Sequence, residues 1–371
     1  MAKIFSDEQS ELRSTVRAFC ANHFSEEAVR RDIKSESGFE SNAWNRMATE
    51  LGLQGIALPE QYGGAGGGQV ELSIVIEELG RNLAPVPFLP AVAMAANLVL
   101  ATDDEPARER LLPGIADGSR IATVAHRETT PGMSTAEITT AATREGLTWR
   151  LSGEKAHVVA ANQSSTLLVT ALTAEGLSLF EIDSDAPGVT TTPMQTLDLT
   201  RRQAIVEFDS APAILIGQEG GAAEYVDKMD RLLSAAVCAE NVGGALRLLE
   251  ETTGYAQTRE QFGRPIGSFQ AVKQKAAGML LNVELSRSAA YQVALEIDNA
   301  DDAAGLDAAI AHALTSDAYI ATAYDAIQIH GGIGFTWEHM AHLYFRRAKS
   351  NAALFGTPDE RREQAAQLMG I

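Results

Sequence analysis

The sequence predicts an α+β protein in which one β domain lies between two helical domains. Before residue 119, apolar residues recur at the spacing of one helix face. Short segments rich in Val, Thr and Ile fill residues 120–213, and long periodic stretches rich in Ala and Leu fill residues 214–371. Helices and strands in separate blocks are typical of α+β proteins. We therefore expect domains at 1–119, 120–213 and 214–371.

Composition narrows the classes of partner. The chain has 371 residues and a net charge of −19, which repels phosphodiester backbones and anionic lipid, so we predict no nucleic-acid and no membrane partner. Cys20 and Cys238 lie far apart, so we predict neither a disulfide framework nor a metal site. The N-terminus lacks the apolar core of a signal peptide, and no run of 18 apolar residues occurs. We expect a soluble, cytoplasmic protein.

The N-terminal block is predicted to be helical over 7–48 and again from about residue 70. Ser6 and Gln9 have the spacing of a capping box, which marks the start of a helix. The stretch "LPEQYGGAGGGQ" (58–69) precedes the later helix. Its glycines suit either a mobile surface turn or a packed loop that forms part of a site, and the sequence leaves both open.

The middle block is predicted to form a small antiparallel barrel or sandwich. Its segments are short, rich in Val, Thr and Ile, and separated by Gly, Asp, Pro and Ser. They are "RIATVAH", "ITTAAT", "LTWRLSGEKAHVV", "STLLVTAL", "LSLFEID", "GVTTTPM" and "RQAIVEF". We favour a middle β-barrel.

The C-terminal block is predicted to be a four-helix bundle. Long stretches with helical periodicity occupy 221–258, 268–297, 302–329 and 338–355. Two short motifs lie at the ends of these helices, "TREQFGRPIGSFQ" (258–270) and "DAIQIHGGIGFTWEH" (325–339).

Each motif has a functional and a structural interpretation. Arg259, at a helix end, suits a phosphate group, although a surface arginine in a helix–loop–helix is the commoner case. Gly331 and Gly332 would let a ligand approach the backbone closely, or they could simply end the helix. A lone histidine such as His330 is more often structural than a ligand.

Three segments together resemble the acyl-CoA dehydrogenase family. They are "GLQGIALPEQYGG", "TREQFGRPIGSFQAVK" and "QIHGGIGFTWEHMAHLYFRRAK", in that order. The resemblance implies FAD, an acyl-CoA thioester substrate, an electron-transfer flavoprotein as electron acceptor, and a tetramer. It implies that FAD of a neighbouring subunit is bound by Arg259, Gln261, Phe262, Gln328, Gly331 and Gly332.

The reaction that the resemblance implies is α,β-dehydrogenation, which needs a carboxylate to take the α-proton. In most members this is a Glu before a Gly-Thr pair near the C-terminus, but Phe355 stands there in "NAALFGTPDE". A minority carry the base on the long helix immediately before an Arg, which corresponds to Asp230 and Arg231. The alternative is that Asp230, with Glu224 and Asp227, belongs to a solvated helix face.

The middle domain departs from the family where the flavin ring is held. The matching segments are "VAHRETTPGMSTAEI" and "GEKAHVVAAN", so Arg127, Glu128, His157 and Val159 replace the usual residue types. We keep His157 and Val159 as candidate cofactor contacts. Altered ring contacts beside intact pyrophosphate motifs suggest an alternative function, a subunit that completes the FAD site of an α2β2 assembly. Some actinobacterial members of that kind are implicated in sterol side-chain breakdown; fatty acid catabolism is the other expectation.

Overall fold

A computed structural model describes residues 5–128, 138–146, 148–301 and 303–371. The first helix begins where the sequence predicts it. The hydroxyl of Ser6 accepts a hydrogen bond from the backbone N–H of Gln9 (3.0 Å), and the Gln9 side chain accepts one from the Ser6 N–H (3.0 Å). This capping box is therefore confirmed.

The N-terminal part is helical, as predicted. Its helices are α1 (Asp7–His23), α2 (Glu26–Lys34), α3 (Ser41–Thr49), α4 (Gln69–Arg81), α5 (Asn97–Leu100) and α6 (Glu105–Ala116). A stretch of π-helix, Leu89–Ala96, runs directly into α5, and all of its residues are buried.

The glycine-rich loop before α4 is packed against the preceding residues 55–58. The backbone N–H groups of Ala65, Gly66 and Gly67 donate to the carbonyls of Gly55, Leu58 and Ile56, each at 2.9 Å. At Gly64 a Cβ would lie 2.0 Å from the Leu58 carbonyl oxygen. Of the two readings open from the sequence, the mobile surface turn is therefore wrong, because backbone hydrogen bonds hold this segment.

All seven predicted segments of the middle block form strands. They are β1 (Ala122–Ala125), β2 (Ala141–Glu145), β3 (Thr148–Val159), β4 (Thr166–Thr173), β5 (Gly176–Asp183), β6 (Val189–Pro193) and β7 (Gln203–Ile216). Strands β4, β2, β3, β7 and β5 pair in that order, and β5 pairs back with β4, which closes a barrel. The prediction of an antiparallel sheet needs one correction, because β1 and β2 both pair with β4 in parallel.

The barrel is filled by the inward side of its strands. Trp149 and Leu151 of β3 pack with Phe180 of β5 in one apolar cluster. Strand β3 then breaks its register with β7 between Lys155 and Val158, which is a β-bulge. His157 lies in this bulge with φ +55°, a conformation that non-glycine residues seldom adopt.

The C-terminal part contains one helix more than predicted. Its helices are α7 (Ala222–Thr258), α8 (Gln270–Asp298), α9 (Ala304–His330), α10 (Ala341–Leu354) and α11 (Pro358–Leu368). Buried residues of α7, α8 and α9, among them Cys238, Val293 and Ala311, share one core. Among the described residues, α7 is the helix long and apolar enough to cross a membrane, but 83% of its apolar window is buried, as in an ordinary core helix.

The backbone contacts divide the chain into two compact units. One contains the chain up to Arg31 together with Gln69–Ala84 and Ser234–Ile371, and the other contains Asp32–Gly68 and Pro85–Leu233. The first unit therefore holds both C-terminal motifs. The second holds the barrel and the first turns of α7, with Asp230.

Candidate functional site

The "TREQFGRPIG" motif forms a minimal β-hairpin at the end of α7. Strand β8 (Glu260–Gln261) pairs with β9 (Arg264–Pro265), and only Phe262 and Gly263 connect them. Both turn residues have positive φ, +56° and +77°, which is the pattern of a type I′ turn. Phe262 is 93% exposed within this chain. The hairpin thus presents a phenyl ring on a tight, strained turn.

The Arg259 side chain is available to a ligand. Its backbone is fixed, because its N–H donates to the Tyr255 carbonyl and its own carbonyl accepts from Ile266, both at 2.8 Å. Its guanidinium is exposed and makes no hydrogen bond or ion pair with any described residue. Gln261 beside it donates to the Glu260 carbonyl at 2.8 Å.

The second motif begins at the C-terminus of α9. Gly331 has φ +65°, and its N–H donates to the carbonyls of Gln328 and Ile327, so it caps the helix. The Gln328 side chain is exposed. A Cβ at Gly331 or Gly332 would meet nothing within 4 Å. This side of the backbone is therefore open to a ligand, as far as the described residues show.

A stack of rings joins the two motifs. The Tyr255 ring, in the last turns of α7, lies over His330 with centroids 4.5 Å apart and planes at 25°. The His339 ring also contacts His330, with centroids 4.1 Å apart and planes at 46°. Burial lowers the pKa of His330, and its Nδ1 donates to the Ala326 carbonyl at 2.8 Å. The structural interpretation of His330 therefore fits, and the sequence reasoning missed its partners Tyr255 and His339.

These groups fit FAD on chemical grounds. A free guanidinium suits a pyrophosphate, an exposed phenyl ring suits an aromatic ring system, and an open glycine backbone admits a large ligand. Arg259, Phe262, Gln328 and the two glycines all lie in the same compact unit. Among the described residues, no cluster of three His, Cys, Asp or Glu side chains is placed to hold a metal ion.

The α7 carboxylates differ from one another in environment. Glu224 is exposed and pairs with Lys228 at 2.7 Å, as on a solvated helix face. Asp227 is also exposed, and its pKa is raised by partial burial and then by the charge of Asp230. Asp230 itself is only 8% exposed, whereas Arg231 beside it is exposed. The solvated-face interpretation therefore fits Glu224 and does not fit Asp230.

Phe355 occupies a buried position immediately after α10. It is 2% exposed, and its carbonyl accepts a hydrogen bond from the guanidinium of Arg361. Its phenyl ring has no group that can take a proton. Phe355 therefore cannot supply the carboxylate base that the resemblance implies at this position.

The two altered segments of the barrel domain lie side by side. The Ala156 N–H donates to the Arg127 carbonyl at 2.9 Å, and the Thr123 hydroxyl donates to the Val159 carbonyl at 2.6 Å. His157 Nδ1 is 2.9 Å from the side-chain oxygen of Gln203. An amide oxygen can only accept, so Nδ1 donates this hydrogen bond. Val159 is buried as a whole residue within this chain, so its contact with a cofactor stays a prediction.

Lys155 is a functional candidate that the sequence reasoning missed. It is fully buried, and its Nζ donates to Glu128 at 2.9 Å and to the His126 carbonyl at 3.1 Å. Strand alternation could have indicated it, because Lys155 lies at even spacing from the core residues Trp149 and Leu151. The segment 124–138 is predicted from the sequence to hold the flavin ring. Its residues 129–137 lie outside the described part of the chain.

Comparison with known proteins gives a consistent group of relatives. Residues 6–119 match the family profile "Acyl-CoA dehydrogenase, N-terminal domain", and residues 231–370 match "Acyl-CoA dehydrogenase, C-terminal domain". The chain is 33% identical to the acyl-CoA dehydrogenase IpdE2 of Mycolicibacterium smegmatis, over 98% of both chains.

Solved structures agree with this. A variant of the steroid ACAD Tcur3481-Tcur3483 matches with a TM-score of 0.89 and 32% identity, over 98% of both chains. The ChsE4-ChsE5 complex from Mycobacterium tuberculosis matches with a TM-score of 0.89 and 28% identity, over 99% of this chain and 98% of the other.

Proposed function

The chain belongs to the acyl-CoA dehydrogenase family, and from that membership we propose that it catalyses α,β-dehydrogenation of an acyl-CoA thioester with Asp230 as the base. It is a flavin-dependent enzyme, as its family is. We further propose that the electrons pass to an electron-transfer flavoprotein. The observation that carries the assignment of the base is the burial of Asp230 in a chain whose Phe355 has no carboxylate.

The proposed cofactor contacts are those of the two C-terminal motifs. Arg259 would hold the pyrophosphate of FAD, Phe262 and Gln261 would lie against its adenosine part, and the backbone at Gly331 and Gly332 would admit it beside Gln328. FAD supplies the acceptor for the hydride that leaves the β-carbon. His157 and Val159 remain proposed contacts, supported by their positions around the β3 bulge.

The role of Asp230 follows from its surroundings. A carboxylate in water is too weak a base for the α-carbon of a thioester, so the site must exclude water from it. Asp230 already loses most of its solvent contact within one chain. One oxygen of the Asp230 carboxylate would take the α-proton. The exposed Arg231 next to it would orient the carboxylate or bind an anionic part of the substrate.

For the substrate, we propose a steroid-derived acyl-CoA. The support is the likeness, at 32% identity over nearly the whole chain, to a protein described as a steroid ACAD. A second candidate function is a subunit that completes the FAD site of an α2β2 assembly. The likeness to ChsE4-ChsE5, which is described as a complex, and the loss of a carboxylate at Phe355 favour it.

The base is tested by Asp230→Asn, with Asp227→Asn as the matched control one turn earlier on the same helix. We expect Asp230→Asn to lower turnover with a dye acceptor by about 10²–10⁴-fold, the usual contribution of a general base, with bound FAD unchanged. Asp227→Asn should stay near the wild type. Exchange of the substrate α-proton with deuterated water provides a second readout. Equal turnover and exchange in both variants would remove Asp230 from the mechanism.

The two candidate functions are separated by the flavin content of the purified chain. A yellow protein with one FAD per chain that reduces a dye acceptor supports the self-sufficient enzyme. A colourless chain that gains FAD and activity only when co-expressed with the product of a neighbouring gene supports the α2β2 subunit. In that second case the Asp230 variants are measured in the co-expressed complex.

A further inference from the structure

Glu128 receives an unusual number of hydrogen bonds for a half-buried carboxylate. Its oxygens accept from the backbone N–H and the hydroxyl of Thr139, at 2.8 and 2.6 Å. They accept in the same way from Thr140, at 2.9 and 2.8 Å, and from Lys155 Nζ at 2.9 Å. We call Glu128, Thr139, Thr140 and Lys155 the Glu128 clasp.

The clasp joins three segments that are distant in the chain. Glu128 follows the end of β1, Thr139 and Thr140 precede β2, and Lys155 lies within β3. The backbone bond from Ala156 to the Arg127 carbonyl, at 2.9 Å, adds a link beside it. Glu128 thus holds together the chain on both sides of residues 129–137 and attaches it to the strand that carries the bulge.

The chemistry of the clasp is that of an ion pair. Burial alone would raise the pKa of Glu128, but the hydrogen bonds from Thr139, Thr140 and Lys155 outweigh it and lower the pKa to about 2. Burial lowers the pKa of Lys155 to about 8, against the opposing effect of Glu128. Both groups are therefore charged at neutral pH, and the Glu128 oxygens are engaged, so Glu128 is poorly suited to act as a base.

The clasp also borders the strained part of β3. Lys155 is the last residue in register with β7 before the bulge, and His157 follows two residues later with φ +55°. A strained residue persists only where its surroundings hold it. The fixed position of Lys155 on one side and the bond from His157 to Gln203 on the other provide that support.

We propose that Glu128 and Lys155 are positioning residues: their clasp sets the backbone at Arg127 and at Ala156 and His157, which receives the flavin ring. The proposal rests on the proposed function. It assigns no direct contact with substrate or cofactor to either side chain. Its consequence is that loss of the clasp weakens FAD binding through the backbone, although neither charge touches the ligand.

The first experiment uses the full chain without flavin. Hydrogen–deuterium exchange is measured at the amides of Thr139, Thr140 and Ala156 in Glu128→Ala and Lys155→Met. We expect exchange at least about tenfold faster. The amides of Thr139 and Thr140 lose their acceptor in Glu128→Ala, and the segments that hold all three amides lose the Glu128–Lys155 ion pair in both variants. Glu145→Ala is the matched control, since Glu145 pairs with Arg150 at 3.1 Å in the same sheet but on its exposed surface. It should leave the three amides unchanged.

The second experiment measures FAD affinity by flavin fluorescence in the same variants, in the complex if a partner is required. We expect affinity to fall at least about tenfold in the clasp variants, roughly the loss of one well-placed hydrogen bond, and not in Glu145→Ala. The double variant Glu128→Gln with Lys155→Met leaves no unpaired buried charge, so it serves where a single variant fails to fold. It should recover folding and still bind FAD weakly.

The outcomes separate the two proposals. Unchanged exchange in folded clasp variants would show that the clasp does not hold the three segments together. Faster exchange with unchanged FAD affinity would show that the clasp stabilises the fold but does not position the flavin site. Absence of FAD binding by the wild type, alone and with a partner, contradicts the proposed function. That result would also overturn the positioning role, while the exchange data would still show whether the clasp holds the three segments.

Discussion

Phe262 is placed where a turn would ordinarily have asparagine or glycine. A type I′ turn needs positive φ at both central residues, and a bulky side chain there costs about 1–3 kcal/mol. The ring gains nothing from burial within the chain, since it is almost fully exposed. Its ring makes an edge contact with Phe269, with centroids 6.1 Å apart, and is otherwise exposed. We therefore expect a further contact outside this chain, in agreement with its proposed place against FAD.

Replacing Phe262 with Asn tests whether the strain at this position is offset by FAD binding. The flavin-free protein should become more stable, by up to about 1 kcal/mol, because Asn accepts positive φ more readily. FAD affinity should fall, because the phenyl ring is gone. Thermal unfolding without flavin and a fluorescence titration with FAD measure the two effects. A gain in stability with full FAD affinity would show that the ring has no part in binding.

Single residues of the site were predictable to different extents. Arg259 and Phe262 belong to one contiguous motif and the two glycines to another, so all four could be singled out as candidates without coordinates. The burial of Asp230 could not be predicted from the sequence, because its spacing from Glu224 and Asp227 is also that of an exposed helix face. Lys155 was missed for a similar reason, since a lysine in a strand is usually at the surface and its partner Glu128 is 27 residues away.

At the scale of elements, two glycines allow α4 and α7 to cross closely. A Cβ at Gly243 would lie 2.0 Å from the Glu77 carbonyl oxygen, and a Cβ at Gly80 would lie 2.7 Å from the Glu240 carbonyl oxygen. Neither contact is with the far end of a flexible side chain. The two helices would have to move apart to admit even a methyl group.

Gly243→Ala should therefore destabilise the protein by about 3 kcal/mol, as overpacking at a rigid contact does. Gly254 provides the control in the same helix, because a Cβ there would meet nothing within 4 Å. Gly254→Ala should raise stability by about 1 kcal/mol through helix propensity. Urea unfolding of both variants measures the difference. Equal midpoints would contradict a tight crossing of α4 and α7.

Element types followed from periodicity more readily than element pairing did. All seven strands lie within or next to the segments that alternation and composition predicted. The parallel pairing of β1 and β2 with β4 was not predictable, because it depends on which strands meet across the barrel. Helix α11 could have been found, since Thr357 and Glu360 form a capping box around Pro358, but its short amphipathic pattern is weak.

At the scale of the whole molecule, apolar side chains remain exposed on the C-terminal helices. Leu280, Leu281 and Leu285 of α8 and Ile310 of α9 are each at least 45% exposed. We expect several such residues on consecutive turns to form a surface that another chain covers. The net charge of −19 opposes association of copies, so the expected apolar contact would have to outweigh the repulsion.

Leu281→Arg should consequently reduce the size of the assembly. An arginine in the covered surface would be buried without a partner, at a cost of several kcal/mol. Leu197→Arg is the control, since Leu197 is exposed to a similar degree in the barrel domain. Sedimentation equilibrium of both variants gives the molar mass. A tetramer that survives Leu281→Arg as well as it survives Leu197→Arg would place the contact elsewhere.

The stacked rings of Tyr255 and His330 bear on how this enzyme could be redesigned. They bring the chain corner at the end of α7 and the chain corner at the end of α9 into direct contact. The two side chains are 75 positions apart in the sequence. A chimaera that imports one corner from a relative and keeps the other would put mismatched rings face to face. If these corners bind FAD as proposed, engineers who wish to alter nucleotide preference should exchange both corners together, with His339 included.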